Sequence, residues 1–139
     1  MEEELKKKKT FKDLVPGDFV YEIKKDSYNT DAKALKWVLK DSFVKSPNYK
    51  NTYFARAEDP NGNRPETVLT VNAGSYGKSG YKHLLFSDRD DAVEAYKTLI
   101  TGYAREANEE VLRLEKHLEL ARSRAAKFTE RLLKIKQSE

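Results

Sequence analysis

Short runs in which apolar and polar residues alternate occupy the first two thirds of the chain. In the clearest run, Leu35, Trp37 and Leu39 share one side of a segment whose other side carries two lysines. In the first run, the odd-numbered residues from Phe19 to Ile23 share a face. A period of two residues is the signature of a β-strand with one buried face. We therefore predict five antiparallel strands, at 19–23, 35–44, 52–58, 67–71 and 81–86.

Turn-forming residues separate these runs. Pro16-Gly17 precedes the first strand and suits a type II turn, because proline fixes φ at one central position and glycine accepts a positive φ at the next. Asn61-Gly62 suits a hairpin between the third and fourth strands. The segment 73–80 holds three glycines and two serines, which predicts a loop.

After residue 86 the apolar period changes to steps of three and four, which predicts one long amphipathic helix. Ser87 is the predicted N-cap, aspartates follow it in the first turn, and Lys134 and Lys136 lie where the helix dipole favours cations. The apolar positions run to the end of the chain: 93, 96, 100, 103, 107, 111, 114, 118, 121, 125, 128, 132 and 135.

Gly102 lies inside this helical pattern, and glycine costs about 1 kcal/mol in a helix interior. The apolar period continues through it, so we favour a bend there over a break. The expected fold class is α+β: a small antiparallel β domain, as an SH3-like barrel or a curled sheet, followed by a long amphipathic C-terminal helix. The expected domains are a charged flexible tail (1–9), the β domain (10–86) and the helix (87–139).

The second half of the helix has a heptad pattern typical of coiled coils. In a parallel homodimer, Glu110 would lie beside Glu115 and Arg131 beside Lys136, so like charges disfavour that arrangement. An antiparallel pair instead opposes the acidic stretch 106–110 to the basic stretch 131–136. The predicted interface, called the seam below, consists of Val111, Leu114, Leu118, Ala121, Ala125, Phe128, Leu132 and Ile135.

The segment from Leu14 to Tyr21, with Pro16-Gly17-Asp18 at its centre, resembles the opening turn of SH3-like small β-barrels. That resemblance implies a binding module rather than an enzyme. The combination of a small barrel with a long helix also resembles the layout of phage-encoded accessory proteins.

Composition narrows the classes of function further. Hydrophobic residues make up 38% and charged residues 36% of the 139 residues, and there is no cysteine. No run is long enough for a membrane helix, and no residue set suggests a metal, a cofactor or an active site. We therefore expect a cytoplasmic, non-enzymatic protein, of a cell or of an infected host cell. The formal net charge of +4 leaves nucleic-acid binding open as an alternative.

One loop is a candidate ligand site. Residues 72–79 approach the phosphate-loop pattern, but Asn72 replaces the first glycine and a strand, not a helix, follows. A Gly/Ser-rich loop can still bind an anion through its backbone N–H groups. The candidate ligand residues are Tyr76, Lys78, Tyr81, Arg105 and Arg113.

The favoured interpretation is a binding or scaffolding protein that self-associates through its C-terminal helix and binds a protein partner through its β domain. The first alternative is a sequestering protein for a small anionic ligand such as a nucleotide signal. The second alternative is a nucleic-acid-binding module.

Overall fold

The computed structural model describes residues 8–139, so most of the predicted tail (1–9) lies outside the described residues. The chain divides into two compact units. The sheet unit is Met1–Ile100 and the helical unit is Thr101–Glu139. A single helix contributes its beginning to the first unit and the rest to the second.

Residues 8–100 of the sheet unit contain seven strands, all paired antiparallel in one sheet. The elements are β1 (Phe19–Lys25), β2 (Ala32–Leu39), β3 (Val44–Lys45), β4 (Thr52–Glu58), β5 (Thr67–Asn72), α1 (Ala73–Tyr76), β6 (Gly80–Tyr81), β7 (Leu85–Phe86) and α2 (Arg89–Gln137). The strands follow in the order β3-β4-β2-β1-β7-β6, with β5 paired to β4, and the sheet curls into a half-barrel. The predicted α+β class, with a small antiparallel sheet before a long helix, is confirmed.

The core cluster packs against one face of this sheet. Trp37 is 6% exposed and packs with Phe11, Leu39 and Phe43, as the alternation in β2 predicts. Phe11 comes from a single 3-10 turn before β1, and its ring meets that of Phe43 edge-on at 5.5 Å between centroids. Aromatic residues thus supply much of the apolar volume that a domain of this size needs.

Strand β1 is covered on both faces, which its sequence pattern does not reveal. Val20 is fully buried in the core cluster, whereas Phe19 is 39% exposed. Ile23, on the opposite face from Val20, is also buried and lies beside the first turns of α2. The face shared by Phe19 and Ile23 is therefore the helix-facing side of β1, and Val20 faces the main core.

Three local predictions are corrected by the backbone. The predicted strand 35–44 is divided into β2, which ends at Leu39, and β3, which begins at Val44. The predicted loop 73–80 begins with the short helix α1, because the Asn72 side chain accepts a hydrogen bond from the backbone N–H of Ser75 at 2.9 Å. The predicted strand 81–86 is interrupted, since Lys82 and His83 adopt positive φ angles of 52° and 57°. Two short strands, β6 and β7, replace the single strand.

Helix α2 begins one residue later than predicted. The carboxylate of Asp88 accepts a hydrogen bond from the backbone N–H of Asp91 at 3.0 Å and caps the helix. Ser87 instead donates its hydroxyl to the backbone carbonyl of Lys9. The helix then continues without a break through Gly102 to Gln137. Within residues 8–139, no helix has both the length and the apolar composition needed to cross a membrane.

Candidate self-association surface on the C-terminal helix

The seam is exposed along its whole length. Its six large side chains expose 50–60% of their surface, which is high for leucine, isoleucine and phenylalanine. Ala121 and Ala125, between them, are exposed as well. All eight residues lie at heptad spacing on one uninterrupted helix, so they form a continuous apolar stripe. The large members are Val111, Leu114, Leu118, Phe128, Leu132 and Ile135.

Charged side chains beside the seam make contacts within their own helix. Arg113 donates to both carboxylate oxygens of Glu110, one turn earlier, which lowers the pKa of Glu110 and raises that of Arg113. Lys134 lies 3.8 Å from Glu130. The guanidinium of Arg131 lies 5.7 Å from the centre of the Phe128 ring. These contacts link charged side chains within α2, and one of them places a guanidinium near the ring of the seam residue Phe128.

Charge is distributed unevenly along α2. Residues 87–110 hold seven acidic and three basic side chains, whereas 121–136 hold six basic and one acidic. An antiparallel pair with Ala121 opposite Ala125 would bring Glu110 and Glu115 near Lys136 and Arg131 of the other copy, with the rest of the acidic stretch beyond the paired segment. The helix therefore offers an apolar stripe whose antiparallel pairing would place opposite charges near its two ends.

The predicted ligand residues in the sheet unit occupy different environments. The ring of Tyr76 stacks on Tyr53 at 3.8 Å, and Tyr81 packs against the core. Lys78 is exposed, and its backbone carbonyl accepts a hydrogen bond from the N–H of Phe11 at 3.0 Å. The two tyrosine rings thus support the fold around the loop, and Lys78 presents its charge to solvent.

The other two predicted ligand residues belong to the helical unit. Arg105 and Arg113 are both exposed on α2. The guanidinium of Arg113 is engaged by Glu110. An anion would have to compete with that carboxylate for Arg113.

A polar cluster that the sequence analysis missed surrounds the indole of Trp37. The guanidinium of Arg64 lies 4.1 Å above its ring, and the indole N–H donates to Glu22 at 2.9 Å. Arg64 also donates to the buried carboxylate of Asp59 at 3.1 Å and to the carbonyl of Lys36 at 2.7 Å. The hydrogen bond from Arg64, followed by those from the turn N–H groups, lowers the pKa of Asp59.

An apolar cleft of about 250 Å³ lies between strands β1 and β2 and the first turns of α2, all within the sheet unit. Ile23, Leu35 and Ala92 line it, and the Tyr96 hydroxyl beside it donates to the carbonyl of Ala32 at 3.1 Å. The cleft is a product of helix-on-sheet packing. No local sequence signal marks it, because its walls come from segments about 60 residues apart.

Together the fold and the stripe define a class: an α+β protein with a small curled β domain and a long helix that carries an unpaired apolar face. Within residues 8–139, no group of three or more histidine or acidic side chains could hold a metal ion. No family model, no curated protein and no solved structure matches the chain.

Proposed function

We propose that this chain is a non-enzymatic binding or scaffolding protein that self-associates through antiparallel pairing of α2. The observation that carries the proposal is the exposure of all eight seam residues on one helical stripe. The β domain would present a surface for a protein partner, in keeping with the SH3-like segment around Pro16-Gly17-Asp18. The layout suits an accessory protein of the phage-encoded type.

The antiparallel register follows from the small residues at the centre of the stripe. With Ala121 opposite Ala125 of a second copy, the two helix backbones approach closely at that point. The same register sets Leu118 opposite Phe128 and, further out, the pair Leu114 and Leu132. Each layer then combines one residue from each heptad position, which is the normal arrangement of an antiparallel pair.

The apolar area is sufficient to hold two copies together. Covering the exposed half of a large apolar side chain contributes about 1–1.5 kcal/mol. Six such side chains on each chain give a sum on the order of 15 kcal/mol, against an association cost of about 4–15 kcal/mol. The balance favours a dimer at ordinary protein concentrations.

Sedimentation equilibrium of the full chain tests this proposal. The wild-type protein should be a dimer or a larger assembly at tens of micromolar, and Leu118→Asp should be monomeric because it places a charge in the seam. Leu120→Asp is the matched control, since Leu120 lies on the same helix outside the stripe and is 63% exposed. Association should survive that change. A monomeric wild type, or equal effects of both substitutions, would refute pairing through the seam.

The two alternative functions remain predictions. A small anion bound near Lys78 requires the loop 77–79 to supply most of the contacts. Nucleic-acid binding requires an affinity that falls steeply with salt concentration.

A further inference from the structure

Strand β5 lies at an end of the sheet. It pairs with β4 along its whole length, from Thr67 opposite Ala57 to Asn72 opposite Thr52. Within residues 8–139 no strand pairs with its other edge. The two other terminal strands of the sheet, β3 and β6, are only two residues long.

The register shows which backbone groups point away from the sheet. The backbone N–H of Ala73 donates to the carbonyl of Asn51 at 2.8 Å, in line with the β4–β5 ladder. In an antiparallel ladder alternate residues bond to the partner strand, so Thr67, Leu69 and Val71 bond to β4. The outward-facing residues are Val68, Thr70 and Asn72.

The other side of β4 confirms this register independently. Ser46 donates to the carbonyl of Thr52 at 2.8 Å, and Lys40 donates to the carbonyl of Arg56 at 2.9 Å. Even-numbered residues of β4 therefore bond toward β3 and β2, which leaves the odd-numbered ones for β5. In residues 8–139 the N–H groups of Val68, Thr70 and Asn72 thus point away from β4, toward the edge with which no strand pairs.

This edge lacks the features that usually prevent strand addition. Proteins usually prevent strand addition at an exposed sheet edge with charged residues, proline, bulges or a very short edge strand. Thr67–Asn72 contains no charged residue, no proline and no glycine, and four of its six residues are β-branched. Val68 is 55% exposed, and Thr70 and Asn72 are exposed as well. The strand is therefore preformed for pairing with a further extended segment.

We propose that the edge of β5 binds β5 of a second copy, antiparallel and centred on Thr70. The outward groups are spaced symmetrically about Thr70, so a two-fold axis sets Thr70 opposite Thr70 and Val68 opposite Asn72 of the other copy. The N–H groups of Thr70 and Asn72 then donate to the carbonyls of Thr70 and Val68 of the other copy. No charge is opposed, because the strand carries none.

This contact is distinct from the seam and weaker. A single strand pair buries less than the area of a stable dimer, so it needs high concentration or an assembly already joined elsewhere. It does not depend on the proposed pairing of α2. The test must therefore be made in a chain whose helix pairing has been removed.

Amide hydrogen exchange of full-length Leu118→Asp, measured by NMR at rising concentrations to about 1 mM, gives that test. The amides of Thr70 and Asn72 should exchange about tenfold more slowly at the highest concentration, while that of Leu69, already bonded to β4, changes little. Exchange at Thr70 that does not depend on concentration overturns the proposal. Protection that needs a different protein also overturns it, because the occupant is then a foreign strand.

Two substitutions at one position separate strand pairing from other contacts. Thr70→Pro removes an outward N–H without removing a ladder bond, which an edge strand tolerates, and should abolish the concentration dependence at Asn72. Thr70→Val keeps the N–H and should therefore retain the concentration dependence of exchange at Asn72. Thr70→Lys serves if the proline variant does not fold, since it opposes two like charges across the two-fold axis. Retained dependence in a folded Thr70→Pro or Thr70→Lys chain refutes the register.

Discussion

The guanidinium of Arg64 lies 4.1 Å above the ring of Trp37 and closes the outer side of the indole. Arg64 is held there by Asp59, which also accepts hydrogen bonds from Asn61 and Asn63 in the hairpin turn. Through Arg64, the turn of the β4–β5 hairpin thus contacts Trp37, the largest side chain of β2. The cation–π contact, the Arg64–Asp59 ion pair and the hairpin turn therefore all stabilise the packing around Trp37.

Removing the indole should destabilise the fold strongly. Trp37→Ala should lower the free energy of unfolding by about 3–5 kcal/mol, because a buried aromatic ring is lost and a cavity remains. Urea denaturation followed by circular dichroism measures the change. Tyr28→Ala is the control, since Tyr28 is 84% exposed and its loss should alter stability by less than about 0.5 kcal/mol. A small effect at Trp37 would place the indole outside the core.

Acid should weaken the same region through Asp59. The hydrogen bond from Arg64 lowers the pKa of this carboxylate in the folded chain, so its stabilising contribution is complete above the unfolded pKa of about 3.9. That contribution is lost as the pH falls through the lowered folded pKa. Asp59→Asn, which keeps an acceptor for the turn, should lose less stability between pH 7 and pH 3 than the wild type. Equal losses in urea denaturation would show that Asp59 is not the responsible carboxylate.

Introduced cysteines report the orientation of the helix pair directly, because the natural chain has none. In the proposed register, Leu114→Cys mixed with Leu132→Cys should oxidise to a disulfide-linked heterodimer. Neither variant alone should cross-link efficiently. Non-reducing electrophoresis measures the products. A parallel pair gives the opposite result, with each variant forming its own covalent dimer.

Lys78→Ala separates the loop from the fold. The exposed lysine side chain contributes little to stability, so the melting temperature should stay within about 1–2 °C of the wild type. If the loop binds an anion, a nucleotide at 100 times its Kd should stabilise the wild type by about 2.7 kcal/mol and the variant by less. Thermal shifts with a nucleotide panel test both points. Shifts that are absent, or equal in the two proteins, exclude Lys78 as a ligand residue.

The elements with strong local patterns were predictable. The alternation around Trp37 fixes one face of β2, and Asn61-Gly62 lies in the hairpin turn between β4 and β5. The steps of three and four predict α2 through Gly102, because one glycine costs less than the surrounding helix gains. The same spacing of apolar residues predicts the seam, although its role in pairing stays a prediction.

The features that were missed depend on tertiary contacts. Val20 and Ile23 are both buried because α2 packs on the face of β1 opposite the core, which no period within β1 can show. The positive φ angles at Lys82 and His83 occur at residues without a turn signature. Arg64 resembles an ordinary turn residue until β2 places Trp37 beneath it.

From Ala104 to Glu139 every side chain of the single chain is exposed. An isolated helix with no packed face opens often, and each opening presents backbone to proteases. Lysine and arginine are frequent in this stretch, so proteases of trypsin-like specificity would find many cleavage sites. Pairing along the seam would protect these cleavage sites, because a packed helix opens less often. The lifetime of the helical unit would then depend on how much protein is present, with dilute chains trimmed and concentrated chains preserved.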